Sequence, residues 1–425
     1  MNIDDLEEKQ EQNEEIVNEN EILIQNINKK IKIIASILLV CILTVIVISA
    51  WSSIAPDKMS DTVKNNISAN KDEKSFPVAI VGTDIQNNNF KLWNNNLSYV
   101  SDTSLVSLNK EGKKNIERQI SYASPIIVTS GIYNLTYNLG GTGIMIDTAE
   151  DTIYKSKEKD VVEDAENNKT GVMTDAESLL KNKIKDIIID ADINSDGMYA
   201  VATQSSEYLS KLTVYNKDNS QKYAYYFAKH YVTTISLNSD GTQVAVSGVT
   251  SVNGTLESVV YILDVNSEEP KEIIRIGENL PLDISFLNNN NIVLIGDKEA
   301  MVIKSGEDMN KYDYQDLTLT SFEIDKQQGA VLSLSRTGDG RNCDIIYMHK
   351  DKNINEAIST EYKITDISMF GKKFSVLSEG KIYLYDKFNN IVSEGEAGVD
   401  SKAICMINES TANILGVSEI RNLKL

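Results

Sequence analysis

Two segments of the chain repeat one pattern, and this repeat limits the possible folds more than any other feature. The stretches "DINSDGMYAVAT" (Asp192–Thr203) and "SLNSDGTQVAVS" (Ser236–Ser247) align without gaps, and their turn glycines, Gly197 and Gly241, lie 44 residues apart. Each NSDG turn leads into short runs of alternating apolar and polar residues, a pattern typical of strands joined by tight turns. Four antiparallel strands in about 44 residues are the unit of a β-propeller blade.

The same period continues in both directions and gives seven sets of four strands, with three further strands at the C-terminus, "KAICMIN", "TANILGV" and "EIRNLKL". The strand missing from that last set is predicted at "FPVAIVG" (Phe76–Gly82). Pairing of the two ends would close the ring and remove exposed strand edges. The sequence therefore predicts an all-β fold, a β-propeller of eight four-stranded blades over residues 76–425, with seven blades as the alternative.

An uncharged apolar run occupies residues 33–50, directly after a lysine cluster and before Trp51. Its length is just enough for a helix to cross about 30 Å of hydrocarbon. We predict one transmembrane α-helix with a basic flank over residues 29–51, so the lipid bilayer is a predicted partner through residues 33–51. The positive-inside rule places the N-terminus in the cytoplasm and the C-terminal domain outside it. The predicted localisation is the cell membrane, as a single-pass protein.

A cleaved signal peptide is the alternative to this anchor, because Ser53–Ala55 has the small-x-small form of a cleavage site. Three features favour an uncleaved anchor. The leader before the apolar run is acidic and about thirty residues long, the run is longer than a usual signal-peptide core, and Pro56 would directly follow the cut.

Three further segments complete the predicted organisation. Residues 1–28 hold nine acidic residues against one lysine and are predicted to be an acidic cytoplasmic arm. Residues 52–75 are polar and rich in Ser, Asn, Asp and Lys, which predicts a flexible tether. An insertion at about 157–183 carries a capping box at Thr174–Glu177 and is predicted to be helical. This helix either packs on the propeller rim or projects to bind a partner.

The net charge of the chain is −20, which argues against a nucleic-acid partner because phosphate binding needs clustered Lys and Arg. The predicted propeller is itself acidic, with 49 acidic and 34 basic residues after residue 75. Such a surface also repels other polyanions.

The first repeat begins like a calcium loop, because Asp192, Asn194 and Asp196 alternate before Gly197. An EF-hand would need flanking helices and an acid at its twelfth position, which is Thr203. The sister repeat keeps the turn but has Ser236 in place of the first acid. We therefore interpret the motif as a hairpin turn, and predict no catalytic, cofactor-binding or metal-binding residues. Asp192 is the one residue that the repeat does not explain, and calcium binding by these three side chains is left open.

Other candidate chemistry is sparse. His230 and His349 are predicted in different blades at strand ends, with no metal-ligand spacing. The glycines of Leu139–Ile144 are predicted to form a hairpin rather than a phosphate cradle, because a strand follows them. Cys343 and Cys405 are predicted to be small buried residues, although a disulfide between them is possible.

The stretch "KYAYYFAKHY" (Lys222–Tyr231) is the densest run of aromatic residues. Alternation places Tyr223, Tyr225 and Phe227 on one strand face and Tyr226 on the other. Packing of an outer strand is one interpretation. Glycan stacking or a protein contact is the other.

The order of "FPV", "VSDTSLVSLN", "YVTTISLNSDGTQVAVSG", "SEEP" and "GVSEI" from Phe76 to Ile420, together with the anchor, resembles a known group of proteins. It is similar to an uncharacterised family, a domain of unknown function, of bacterial single-pass membrane proteins with an extracytoplasmic propeller of the WD40 or quinoprotein-like kind. The resemblance implies no activity and no site residues, because the family has none assigned.

Two functions remain in competition. The first is a non-enzymatic, membrane-anchored binding or scaffold module for a protein or cell-envelope partner. The alternative is an extracytoplasmic glycan-acting hydrolase or lyase with paired carboxylates at the propeller channel. A deep channel with paired carboxylates would favour the enzyme, and an apolar patch on the rim would favour binding.

Overall fold

The computed structural model describes residues 76–83, 85–156, 186–288 and 290–425. The predicted arm, transmembrane helix and tether, and the predicted helical insertion at 157–183, lie outside these residues. Within the described part of the chain, no helix is long and apolar enough to cross a bilayer. The described residues belong to one compact unit, Lys74–Leu425.

The described residues form 32 strands in eight four-stranded antiparallel sheets, which confirms the prediction of eight blades. A short strand, β1 (Val78–Ala79), and a 3-10 helix (Asn87–Asn89) precede the first complete blade. Blade 1 contains β2 (Phe90–Trp93), β3 (Asn96–Val100), β4 (Ser104–Leu108) and β5 (Lys114–Gln119). Blade 2 contains β6 (Pro125–Ser130), β7 (Tyr133–Asn138), β8 (Ile144–Asp147) and β9 (Thr152–Lys155).

The two NSDG turns lie in the next two blades. Blade 3 contains β10 (Ile188–Ile193), β11 (Tyr199–Gln204), β12 (Ser210–Tyr215) and β13 (Gln221–Phe227). Blade 4 contains β14 (Tyr231–Leu237), β15 (Gln243–Val252), β16 (Thr255–Asp264) and β17 (Glu272–Gly277). Blade 5 contains β18 (Pro281–Phe286), β19 (Ile292–Gly296), β20 (Glu299–Ile303) and β21 (Met309–Asp313).

The remaining strands follow the same order. Blade 6 contains β22 (Thr318–Asp325), β23 (Gly329–Ser335), β24 (Cys343–His349) and β25 (Ile358–Ser359). Blade 7 contains β26 (Asp366–Phe370), β27 (Lys373–Ser378), β28 (Lys381–Asp386) and β29 (Ile391–Glu396). Blade 8 contains β30 (Ala403–Asn408), β31 (Thr411–Leu415), β32 (Glu419–Lys424) and, from the other end of the domain, β1.

Blade 8 closes the ring as predicted. Val78 pairs with Ile420 and Ala79 with Glu419, so the first strand becomes the outer strand of the last blade. The paired segment is shorter than the predicted Phe76–Gly82, because Pro77 has no N–H to donate to a ladder. Gly82 adopts a positive φ of 82°, which turns the chain away from the strand.

The core lies between blades, where sheet faces pack against each other. The second strands are the most deeply placed, and β19 and β23 are buried at every residue. Strands covered on both faces consist of continuous apolar runs, such as "IVLIG" in β19. Burial of these side chains is the main source of stability for such a fold.

Antiparallel topology gives the propeller two different faces. In each blade the first and third turns lie at one end of the strands, and the second turn and the link to the next blade lie at the other. We call the first end the turn face, which holds Asn194–Met198 and Asn238–Thr242. We call the second end the crossover face, which holds 205–209 and 228–230. The first strand of each blade is innermost, since β14 contacts β10 and β18, and β26 contacts β22 and β30.

Candidate functional site

The innermost strands bring together a group of charged residues that are scattered in sequence. We call it the axial cluster, and it consists of Lys91 on β2, Asp190 and Asp192 on β10, Asp283 on β18, Glu323 on β22 and Asp366 on β26. These side chains influence one another electrostatically although they come from blades 1, 3, 5, 6 and 7. Such distant blades face each other only across the central channel, so the cluster lines this channel.

Three of these carboxylates, those of Asp190, Asp192 and Asp366, join neighbouring blades by hydrogen bonds. The backbone N–H of Ile235 and the hydroxyl of Thr234 donate to Asp190 Oδ2, at 2.8 and 2.9 Å. Tyr137 donates to Asp190 Oδ1 at 2.8 Å. Asp190 therefore links blade 3 to blade 4 and to blade 2.

Asp192 makes the same kind of link one step further along β10. The N–H of Leu237 donates to Asp192 Oδ2 at 2.8 Å, and the hydroxyl of Ser236 donates to the same oxygen at 3.1 Å. Lys326 of blade 6 lies 3.5 Å from this oxygen, so an ion pair spans the channel. Asp192 is only 6% exposed, and an unpaired carboxylate at this depth would be costly.

The repeat does explain Asp192 once the blades are in place. Ser236 occupies the equivalent position in the next repeat, and its hydroxyl accepts the N–H of Phe286 from blade 5 at 3.0 Å. Both residues thus receive a backbone N–H from the innermost strand of the following blade. We call this contact an inter-blade latch.

Further latches occur elsewhere around the ring. Asp366 Oδ2 and Ser368 Oγ accept the N–H groups of Ile404 and Met406, each at 2.9 Å. Asn89 Oδ1 accepts the N–H of Ile127 at 3.1 Å. Innermost strands of adjacent blades belong to different sheets, so these side chains satisfy backbone groups that no ladder reaches.

Burial in the channel changes the protonation of the acids. Desolvation raises the pKa of Asp190 to about 7, against the opposing hydrogen bond from Ile235. Desolvation also raises the pKa of Asp283 to about 6, although Lys91 opposes the shift. The pKa of Asp366 is raised to about 8, first by burial and further by the charge of Glu323. Burial raises the pKa of Glu323 as well.

The alternative of a glycan-cleaving carboxylate pair is not supported. Asp190, Asp192 and Asp366 direct their oxygens at backbone N–H groups of the next blade, so they act as structural acceptors rather than as free acid and base groups. Within the described ranges, no group of three or more His, Cys, Asp or Glu side chains is placed to hold a metal ion.

The predicted calcium-like motif is a hairpin turn between β10 and β11. Asn194 Oδ1 accepts the N–H groups of Asp196 and Met198, at 3.1 and 3.0 Å, which closes the turn. Gly197 has φ of 84° and Gly241 in the sister turn has φ of 67°, the left-handed backbone that glycine adopts without strain. Asp192 is held by the inter-blade latch and does not share the hydrogen bonds of this turn.

We expect calcium to have no effect on this motif. Adding Ca²⁺ in excess of chelator should leave the melting temperature of the protein unchanged. The carboxylate of Asp192 already accepts hydrogen bonds from Leu237 and Ser236 and pairs with Lys326. The measurement is a thermal melt followed by circular dichroism. A rise in melting temperature that Asp196→Ala abolishes would contradict the turn interpretation.

The remaining predicted residues are placed as follows. His349 ends β24, and its Nε2 lies 2.8 Å from Asn355 Oδ1. His230 precedes β14 at the rim, but its ring is buried and Nδ1 lies 2.6 Å from Tyr261 Oη. Cys343 and Cys405 are buried and free, which confirms their prediction as small core residues. The Leu139–Ile144 segment connects β7 and β8, as the predicted hairpin.

The predicted alternation of the tyrosine run is confirmed. Tyr225 packs edge-on against Phe227 with ring centroids 4.9 Å apart, whereas Tyr226 is 47% exposed. The ring of Tyr226 lies 5.0 Å from that of Tyr208, which is 43% exposed, and the ammonium of Lys211 lies 5.5 Å from the Tyr226 ring. Both tyrosines lie where blade 3 meets the crossover face.

Blade 4 has exposed residues on the same crossover face, although Tyr226 itself lies on the side of β13 away from blade 4, since Tyr225 and Phe227 on the other side contact Tyr261 of blade 4. Tyr231 begins β14 and is 56% exposed, and Val252 lies 47% exposed at the tip of the long β15–β16 hairpin. The pairs from Thr250↔Glu257 to Val252↔Thr255 project beyond the last β14 pair, Tyr231↔Val249. We call Tyr208, Tyr226, Tyr231 and Val252 the tyrosine patch. Sequence reasoning identified Tyr226 from alternation but had no local signal for Tyr208.

Comparison with known proteins identifies a family and many solved structures of similar fold, two of which are described below. The model of a family of unknown function, DUF5711, matches residues 152–425. Hydrazine synthase of Kuenenia stuttgartiensis is 11% identical with a TM-score of 0.45, covering 81% of this chain and 97% of that chain. The Cps50 (Swd1) β-propeller domain of Myceliophteria thermophila is 11% identical with a TM-score of 0.46, covering 82% and 98%. No curated protein matches the chain.

Proposed function

The chain belongs to this family of unknown function, and we propose that it is a membrane-anchored, non-catalytic propeller that binds a protein partner of the cell envelope. The single observation that carries this proposal is the tyrosine patch on the crossover face. Tyrosine is enriched at protein interfaces because it offers a large apolar ring with a polar end.

The anchor rests on the sequence. The apolar run at 33–50, the preceding lysines and Trp51 support a single transmembrane helix with the N-terminus in the cytoplasm. The polar segment at 52–75 supports a tether that leaves the propeller free to meet partners in or near the membrane. The propeller would then lie outside the cytoplasm.

The patch differs from ordinary scattered surface residues in two ways. Tyr208 and Tyr226 are in ring contact while each remains more than 40% exposed, so together they offer a continuous aromatic surface. The projecting end of the β15–β16 hairpin stands beside Tyr231 and adds Val252. Exposed apolar surfaces with polar rims are typical of interaction sites.

Site-specific photocrosslinking tests this function. A photoreactive phenylalanine analogue is placed at Tyr226 in the full-length protein in its native membrane, and crosslinked products are identified by mass spectrometry. We expect one discrete envelope protein to crosslink, and we expect Tyr208→Ala to reduce the yield by about tenfold, because loss of a buried interface aromatic costs more than about 1 kcal/mol.

The matched control carries the same analogue at Phe388, an aromatic residue of the turn face that is 70% exposed. The crosslinked protein should be absent from this control. Equal labelling from Tyr226 and Phe388, or a yield that does not respond to Tyr208→Ala, would contradict a partner site on the tyrosine patch.

A further inference from the structure

The axial cluster contains more acid than its surroundings can neutralise. Five carboxyl groups from four innermost strands share the channel with Lys91, and Lys326 pairs with Asp192 at the channel wall. Like charges that lie close together raise each other's energy. The carboxyl groups therefore cannot all be ionised at low cost.

Each acid faces defined charged groups. Asp283 faces Lys91 on β2, Asp192 on β10 and Glu323 on β22. Glu323 faces the same lysine and Asp325 of its own strand. A chain of interacting groups thus runs around the channel wall.

The same chain also reaches Asp190 and Asp366, two of the three latch carboxylates. Asp190 faces Tyr137 and Asp283. Asp366 faces Glu323 and the side chain of Asn87. Cys405 on β30 lies near Glu323 and Asp366, and burial raises the pKa of its thiol, which stays neutral.

Asp190 and Asp366 are also latches between blades. Their carboxyl groups hold the N–H of Ile235 and of Ile404, so the charge of the cluster acts directly on contacts that hold the ring together. We propose that the axial cluster is a proton-binding lock: it takes up protons as the medium is acidified from mildly alkaline to mildly acidic, and protonation stabilises the closed ring.

The sign follows from linkage. The pKa values of Asp190, Asp283 and Asp366, about 7, 6 and 8, lie above those of unfolded aspartate. The folded state therefore binds more protons than the unfolded state between about pH 4 and pH 8, and stability falls as the pH rises through this window.

Titratable groups outside the cluster also change the stability of the protein with pH. The pKa of His230 is lowered, chiefly by burial, so this residue opposes the effect in acid. Some surface carboxyls, such as those of Asp240 and Asp400, have lowered pKa values. Their protonation destabilises the folded protein only in stronger acid. Asp147 between blades 1 and 2 has a pKa raised by burial and adds to the slope from outside the channel. In the window from about pH 8 to about pH 5.5 these surface carboxyls stay ionised, and His230 opposes the cluster only in the lower part of the window.

The test is the melting temperature of the full-length protein across this window, with two variants. For the wild type we expect a rise on the order of 5 °C on acidification from about pH 8 to about pH 5.5. Asp283→Asn/Glu323→Gln replaces two acids by neutral groups of the same shape as the protonated forms. This variant should melt above the wild type at the alkaline end and have a shallower slope than the wild type, because Asp190 and Asp366 still take up protons across the window.

Lys91→Met supplies the opposite change. Without the lysine, the acids hold their protons to higher pH, so the midpoint of the stability curve should move upward. Glu150→Gln, at an exposed turn, is the control and should follow the wild type. The proposal is overturned if the wild-type curve is flat, if the double variant keeps the wild-type slope or fails to fold, or if Lys91→Met leaves the midpoint in place.

Discussion

Oxidation of an Ala79→Cys/Glu419→Cys variant is expected to stabilise the propeller by up to about 5 kcal/mol, because the new disulfide would close a loop that contains nearly the whole ring. Ala79 and Glu419 are Cα partners of β1 and β32. The N–H of Ile80 bonds to the carbonyl of Ser418, so the 79–419 pair lies between hydrogen-bonded positions, where side chains approach most closely. The measurement is a denaturant melt with and without reductant.

The single variant Ala79→Cys is the control, because it introduces the same thiol without a partner. Its melt should not respond to reductant. The native cysteines of the propeller, Cys343 and Cys405, are buried in different blades and should not take part. If the double variant forms its disulfide, as shown by loss of free thiol, and yet melts like its reduced form, β1 does not close the ring.

The features of this fold that could be predicted are those that depend on short stretches of sequence. NSDG turns at Gly197 and Gly241 need left-handed backbone, and Asn, Asp and Gly supply it at a fixed distance before each alternating strand. Counting such units gave eight blades, and the need to cover an open edge indicated a closing strand before residue 83. The exact ends of that strand were less predictable. Pro77 lacks the backbone N–H that a strand ladder needs, and a pattern of apolar residues gives no information about this hydrogen bond.

The axial cluster could not be predicted from the sequence, for a different reason. Lys91 and Asp366 are separated by most of the domain, and each is the only charged residue of its strand. Only the circular arrangement of blades brings them into one channel. A weak signal did exist, since Asp190 and Asp192, or Asp366 and Ser368, alternate along one face of an innermost strand. Alternation predicts that these side chains share one face of their strand. It does not identify the backbone N–H groups that they accept, because those groups belong to the next blade.

Asp192→Ala is expected to lower the free energy of unfolding by about 2–4 kcal/mol. The substitution leaves the buried N–H of Leu237 without its acceptor and removes the partner of Lys326, and an unsatisfied buried group costs its full desolvation. The measurement is a urea melt in the presence of chelator, which separates the structural effect from any bound metal.

Two matched variants decide what Asp192 does. Ser236→Ala removes the equivalent latch of blade 4, a neutral acceptor for Phe286, and should cost only about 1 kcal/mol. Asp196→Ala changes an exposed side chain of the same turn and should cost less than about 0.5 kcal/mol. A latch thus predicts the order Asp192, Ser236, Asp196 in chelator and in calcium alike. A calcium site would instead make Asp192 and Asp196 equally sensitive, and Ser236 indifferent, in a parallel melt with Ca²⁺. The stability that the repeat provides would then depend most on its first position, where one copy has Asp192 and the other has Ser236.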